Sequence, residues 1–281
     1  MRCFHIFSLT VVSSLMVFVS ACGASMPSDQ EFKDFAPANF DNPTNIDNQW
    51  LPIKPGAQLV YAGYTIEAGE KVSHRIVISV TDLTKIIGGI RSVATWDLDY
   101  SADQLVEAEL AFFAQDNAGN VWRMGEYPEE YEDGKFVDNP TWIHGIGNAL
   151  AGIAMKANPQ PGTPSYPEGW GPQVDWTDRG QVDKIVQEIC VPAGCYQNVL
   201  VINESSASEP DAFQLKYYAA GMGNIQVDWT GKDQTQETLN LVEYNILSPE
   251  ELAEVRVKAL DLEKSAFEKS KDVYSHTKPL E

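Results

Sequence analysis

The chain of 281 residues carries 40 Asp and Glu against 20 Lys and Arg, a formal net charge of −20 at pH 7. So acidic a surface repels phosphate backbones and anionic headgroups, which excludes nucleic acid as a partner and makes cations the natural counter-charge. With 43% hydrophobic residues the chain can still bury one large core or two small ones.

The first residues fall into three zones. Met1 to His5 carry one positive charge, on Arg2; Ile6 to Val19 form an apolar run interrupted only by Ser8, Thr10, Ser13 and Ser14; small residues then lead into Cys22. That order is the physical form of a secretory signal, with an apolar run too short to span a bilayer. Val19-Ser20-Ala21-Cys22 resembles the lipobox of bacterial lipoproteins, with Val19 where leucine is usual. The resemblance implies that residues 1–21 are a signal peptide removed before Cys22, whose thiol receives palmitate-type acyl chains. Each buried methylene adds about 0.8 kcal/mol, so two or more chains make a stable anchor on the extracytoplasmic face of the cell envelope. The membrane is then the first expected partner. Residues 22–40, small, polar and acidic, read as the lipidated N-terminus and tether of a β-rich domain over 41–247.

The segment from Phe40 to Gly56, with Asn48-Gln49-Trp50-Leu51-Pro52 and Lys54-Pro55-Gly56, leads into Leu59-Val60-Tyr61. It resembles the opening of a family of bacterial secreted proteins and lipoproteins to which no activity is attached. Ala114-Gln115-Asp116, Asn120-Val121-Trp122 and Tyr217 to Gly223 fit the same pattern, with Ala220 where proline is usual. The likeness spans residues 40–245 and bears on fold, not on function.

Strand signals follow. Val72, His74, Ile76, Ile78 and Val80 alternate with Lys71, Ser73, Arg75 and Ser79, a period of two. Ile87-Gly88-Gly89 and Asp116 to Asn120 mark hairpin turns. Val199 to Ile202, Phe213 to Tyr218, Ile225 to Trp229 and Thr238 to Tyr244 read as later strands. Short strands joined by turns predict a mainly β fold: an antiparallel, strongly curved sheet or open barrel, by analogy with lipoprotein carriers. Residues 128–180 are rich in Pro, Gly and Trp, and their rings argue for an ordered flap rather than disorder. Trp142, His144, Tyr166 and Trp170 are its candidate ligand-contacting residues. A C-terminal amphipathic helix is expected over 248–275. Ser248-Pro249-Glu250-Glu251 supplies cap, first-turn proline and acid, and Leu252, Val255, Ala259, Leu262 and Ala266 form one apolar stripe. The stripe should dock on its own domain, although it could take a protein partner.

Four cysteines are present. Cys3 leaves with the leader and Cys22 is the lipid site. Cys190 and Cys195 flank a Val-Pro-Ala-Gly turn, and in an oxidising compartment they should form a disulfide across a hairpin. A metal site is the rival, although no His or second Cys pair lies near.

The most informative constellation is Trp96-Asp97-Leu98-Asp99-Tyr100 followed by Glu107-Ala108-Glu109-Leu110. Alternation puts Asp97 and Asp99 on one face of a strand, and Glu107 and Glu109 on one face of the next. A two-residue loop at Ala102-Asp103 would set Asp99 beside Val106. A loop of three or five residues sets Asp99 opposite Glu107 and Asp97 opposite Glu109, leaving the other face apolar, so burial selects the odd loop. The four carboxylates then form a solvated outer face near Arg75 or Arg123, or a hard-cation site for calcium, or hold a catalytic acid pair. No cofactor is otherwise expected. No Ser–His–Asp spacing or phosphate loop stands out, so catalytic residues stay unassigned. His74 reads as a satisfied core histidine, and His144 as the histidine to test. The leading role is a lipid-anchored carrier for an apolar or amphipathic ligand. The others are an assembly lipoprotein working through its terminal helix, or an extracellular hydrolase or lyase using His144 with Asp97 or Asp99. Replacing Cys22 by serine should move the protein from the membrane to the soluble fraction of lysed cells; an unchanged distribution would refute the anchor.

Overall fold

The structure, a computed structural model, describes residues 35–281. The leader, Cys22 and most of the tether lie outside the described residues. Fifteen strands form one antiparallel sheet. The first five run as a meander: β1 (Ala57–Glu67), β2 (Glu70–Ile87), β3 (Ile90–Ser101), β4 (Gln104–Gln115) and β5 (Val121–Glu132). The β1–β2, β2–β3 and β3–β4 turns are Ala68-Gly69, Gly88-Gly89 and Ala102-Asp103, every residue at positive φ, the backbone whose twist matches a two-residue hairpin. The β3–β4 loop is therefore two residues long, not three or five. The expected pairing survives because a bulge at Asp99/Tyr100 sets Val106 outside the register and restores Asp99 opposite Glu107.

The stretch expected to be a flap instead continues the sheet. Residues 128–132 belong to β5, and β6 (Lys135–Asp138), β7 (Trp142–Ile143) and β8 (Leu150–Met155) all pair with β5. Two very short strands follow, β9 (Tyr166–Pro167) and β10 (Gly169–Trp170). The remainder is β11 (Arg179–Val191), β12 (Gly194–Ser205), β13 (Ala212–Ala219), β14 (Gly223–Gly231) and β15 (Thr238–Ile246). β15 pairs with β1, which places the two halves side by side.

The strand order runs from β10 at one end to β9 at the other, so the sheet is open and not a closed barrel. Yet its two end strands are consecutive in sequence, with only Glu168 between them. Tyr166 and Pro167 pair with Gly180 and Arg179 of β11; Gly169 and Trp170 pair with Ala151 and Leu150 of β8. One short segment thus stitches the sheet's ends together. Its passage requires glycine at 152, where a Cβ would lie 2.2 Å from the Gly169 nitrogen.

The N-terminal segment enters the fold before residue 40, since Phe35 packs on Trp122 with ring centroids 5.2 Å apart. Ile46 and Ile53 then plug one end of the sheet, joining Val80, Val93, Val121, Leu200 and Ile202. Asn48 is tied on every side: its Oδ1 accepts from the Trp50 and Leu51 amides, and its Nδ2 donates to the Gly119 and Lys156 carbonyls. The Phe40–Gly56 segment thus caps one end of the sheet.

Helix α1 (Pro249–Lys269) begins at a complete Ser248–Glu251 capping box and ends at Lys269, short of the expected 275. Beyond Ser270 the chain folds back and Tyr274 enters the core. Ala259, Leu262 and Ala266 pack on Leu83, Ile87, Leu110 and Phe112, so the apolar stripe docks on its own sheet. A fully buried Lys85 on β2 clamps this layer. Its ammonium donates to Glu263 Oε1 (3.0 Å) and to the Lys278 carbonyl (2.6 Å), and lies 4.0 Å from the Tyr274 ring centroid. Because Lys85→Ala removes the counter-charge of the buried Glu263 carboxylate, which keeps only its bonds from the Tyr274 hydroxyl and the Leu280 amide, it should lower the unfolding free energy in urea by about 3–5 kcal/mol; a loss under about 1 kcal/mol, the value of a surface pair, would show that the clamp is idle.

Candidate functional site

The four acids of β3 and β4 sit as the alternation requires, Asp97 opposite Glu109 and Asp99 opposite Glu107. They do not form a solvated outer face. Ala94, Ala108, Leu110 and Phe112 point to the helix side, so the acids point into the curve of the sheet, where Asp99 and Glu109 are buried. Arg75 lies over the Tyr100 ring (5.5 Å). Arg123 is the compensating cation: it bonds Glu109 at 2.7 Å, pairs with Glu126, and stacks 4.7 Å from the Trp176 ring centroid.

These groups belong to a polar belt that crosses both halves of the sheet. His74 Nε2 lies 2.6 Å from Asp99 Oδ1, and its Nδ1 is 3.1 Å from Glu237 Oε1. Gln214 donates to Glu237, and directly opposite Gln214 on β12 is Glu204, which pairs with Lys216. Glu168, at the stitch, completes the circuit by facing Glu204, Lys216 and Arg123. Eight carboxylates (Asp97, Asp99, Glu107, Glu109, Glu126, Glu168, Glu204 and Glu237) thus share three cationic side chains, His74, Arg123 and Lys216.

The imbalance marks the ionisation of the belt. Burial and the Glu109 charge push the Asp97 carboxyl well above the usual carboxylate range, against the pull of Arg123. Burial with Glu109 and Asp99 raises Glu107, and burial with Glu204 raises Glu168. For His74, burial opposes the charge, but the hydrogen bond to Asp99 and the Glu237 carboxylate outweigh it and lift the pKa to about 10. It is the satisfied core histidine expected from the alternation.

Opposite the plugged end, the belt opens into a cavity of about 640 Å³. Glu130, Asp138, Asp175, Asp178, Glu204, Glu209 and Asp233 line it, with Ser and amide side chains between them and no basic residue. A throat of about 20 Å³ lies deeper, between Glu107, Glu109, Arg123, Glu126, Glu130 and Trp176. Glu130 and Pro140 line both spaces, so the throat continues the mouth toward the belt.

The other expected site residues lie elsewhere. Trp142, Tyr166 and Trp170 are buried around the stitch and do not line the mouth. Trp142 stacks on Trp176 with centroids 5.6 Å apart. His144 contacts Phe35 (4.2 Å) and accepts from the Ala151 amide; it hydrogen-bonds neither Asp97 nor Asp99, and burial lowers its pKa to about 4. Cys190 and Cys195 form the expected disulfide across the β11–β12 hairpin. Among the described residues no group of three or more His, Cys, Asp or Glu is arranged to hold a metal ion. Sequence reasoning missed Glu130, Asp138, Glu168, Lys216 and Trp176. The alternation of Glu126, Pro128 and Glu130 with Tyr127 and Glu129 could have flagged the first; the rest required the topology.

No family model matches the chain, and no curated protein matches it significantly. Two solved structures align with it. One is a candidate exported protein of Bacteroides fragilis with a YMCC-like fold, 13% identical over 70% of this chain and 99% of that one, at a TM-score of 0.38. The other is a candidate lipoprotein of Parabacteroides distasonis, 12% identical over 71% of this chain and 100% of that one, also at 0.38. At this level of likeness neither lends a role or a residue to this chain.

The belt sets the pH dependence of stability. A folded pKa above the unfolded value means stability present below the unfolded pKa and lost as pH rises through the folded one. For His74 that loss runs from the ordinary 6.5 to about 10, and the raised carboxyls of Asp97, Glu107 and Glu168 act in the same direction from their lower starting point. The melting temperature should therefore fall between about pH 6 and pH 9, and His74→Gln should flatten the slope; a melting temperature that climbs over this range would contradict the buried-charge account.

Proposed function

We propose that the protein is a lipid-anchored, extracytoplasmic binding protein whose acidic mouth captures a cationic solute. The observation that carries this reading is the 640 Å³ cavity, walled by seven carboxylates and no basic side chain. Low-dielectric walls of one sign focus the field and raise the local concentration of counter-ions, and the net charge of −20 extends that attraction beyond the mouth. One end of the sheet is plugged by the Ile46–Ile53 segment, which leaves the mouth as the way in.

The earlier expectation of an apolar ligand loses its lining, since the flap aromatics are spent on the stitch. An assembly role through α1 loses its apolar stripe, which is already covered by β2 to β4. The hydrolase reading paired His144 with Asp97 or Asp99, and no hydrogen bond joins them. Acyl chains on Cys22 would hold the domain near the membrane surface.

Isothermal titration with small cationic and anionic solutes tests the reading. Cations should bind with an affinity that falls as salt rises, and anions should not bind. Asp175→Asn, Asp178→Asn and Glu209→Gln together remove three rim charges, each contributing about 0.2–1 kcal/mol, so the triple variant should bind about tenfold more weakly. Equal affinity for cations and anions, or indifference to the triple variant, would sink the proposal.

A further inference from the structure

The stitch between the sheet's two ends turns on one residue. Tyr166 and Pro167 pair with β11, Gly169 and Trp170 pair with β8, and Glu168 alone stands between them. Two residue pairs on each side make a light closure, so the state of Glu168 weighs on whether it holds. Glu168 is 8% exposed, and its Oε1 is buried without a hydrogen-bond partner. A Cβ at Gly180 would lie 2.6 Å from that oxygen, so the carboxyl is pressed against the β11 backbone.

Every element around it presents an ionisable group. Glu204 faces it from β12, Lys216 and Tyr218 from β13, Asp178 from the segment before β11, and Arg123 from β5. Tyr166 of β9 is close as well, with Lys156 lying 5.0 Å over its ring. Both nearby cations are engaged elsewhere: Lys216 pairs with Glu204, and Arg123 pairs with Glu109 and Glu126. An ionised Glu168 is therefore a buried charge without a donor at Oε1, opposed by Glu204 and Asp178, which is costly; a neutral one is far less so. Burial, with the Glu204 charge, accordingly holds its carboxyl well above the usual carboxylate range.

Resting on the cationic reading of the mouth, we infer that Glu168 is a proton-operated latch: while its carboxyl is neutral the stitch holds the sheet's ends together, and when the proton leaves for water the stitch opens and the mouth loses a wall. That wall is the chain leaving the stitch. Gln173, Val174, Asp175 and Asp178 line the mouth, and Trp176 lines the throat. The Glu168 amide donates to the Asp178 carbonyl at 2.8 Å, which ties the wall to the latch. The closed form holds its proton more tightly than the open one. Closure is thus at full strength below the ordinary 4.5 and weakens as pH rises through the raised folded value. One proton leaves per opening in that interval, so the opening constant climbs about tenfold per pH unit. A cation captured in acid is released as the pH rises.

Hydrogen exchange on the full-length protein in detergent micelles tests the latch without any ligand. Corrected for the intrinsic pH dependence of exchange, protection of the Glu168, Gly169 and Trp170 amides should fall about tenfold per pH unit between about pH 5 and pH 7. In Glu168→Gln, which stays neutral, it should remain level. Level protection in the unaltered protein, or the same fall in the variant, overturns the latch. If Glu168→Gln fails to fold, Glu204→Gln removes the facing negative charge and leaves Lys216 to Glu168, so it should raise protection at pH 7 severalfold; unchanged protection there overturns the latch equally. Putrescine, as the cationic probe, tests the coupling to the mouth. Its affinity for the unaltered protein should fall relative to Glu168→Gln over the same pH range, and a constant ratio overturns the release. Binding to neither protein overturns the cationic mouth and the release with it, while the exchange result still decides the latch.

Discussion

The constraint on which this molecule turns is the enclosure of more negative than positive charge within one curved sheet. A buried carboxylate needs a donor or a counter-ion, and three cations cannot serve eight acids equally. Arg123 is spread over Glu109 and Glu126 and backed by the Trp176 ring, Lys216 is drawn to Glu204, and His74 is held between Asp99 and Glu237. Arg123 and Lys216 pair within a strand or between neighbouring strands, whereas His74 joins β2 and β3 to Glu237, just before β15, so His74 is the belt's electrostatic brace between the two halves of the sheet. The surplus carboxylates, Asp97, Glu107 and Glu168, are pushed up by burial, and of the three Glu107 lines the throat.

Apolar side chains adjoin the belt on its own face, where Ile76 and Ile78 of β2 stand opposite Asp99 and Asp97. The helix side of β2 to β5 is filled by α1 and the returning C-terminal tail, with Lys85 buried against Glu263 and Glu129 buried against Lys269. The far end is filled by the Ile46–Ile53 plug. With the helix side and the plugged end covered by the chain itself, the acidic mouth is a feature of the described residues left facing outward with unmet chemistry. That is why function is sought there and not on the helix.

Much of the strand pattern was legible in the residues. The alternation from Val72 to Val80, the Gly88-Gly89 turn, the Cys190–Cys195 hairpin and the Ser248 capping box each have a local cause, and each is found where that cause puts it. The pairing of Asp97 with Glu109 and Asp99 with Glu107 was legible too, although by the wrong loop: burial dictated the register, and a bulge rather than an odd loop satisfied it. Alternation tells which residues share a face but not which face is enclosed, so a solvated outer face, a cation site and an acid pair all stayed open for the acids. Residues 128–180 were opaque for a different reason. Strands as short as Tyr166–Pro167 and Gly169–Trp170 have no period to detect, and Pro and Gly normally argue against strand. Only the presence of both sheet edges makes them strands, and that information is spread over the whole chain.

The pairing of β1 with β15 has a consequence for how the molecule comes into being. Ala57 is bonded across to Ile246, and the stitch at Glu168 needs β8 and β11 already in position. A chain emerging N-terminus first can close the β1–β5 hairpins one by one, since those contacts are local. Its first strand must nonetheless keep one edge bare until nearly the whole polypeptide has followed. Such long-range closure makes folding slow, and a bare edge invites pairing with other chains. The interval before β15 arrives is therefore when the nascent protein is most exposed to mispairing, and a chaperone would be of greatest use in it.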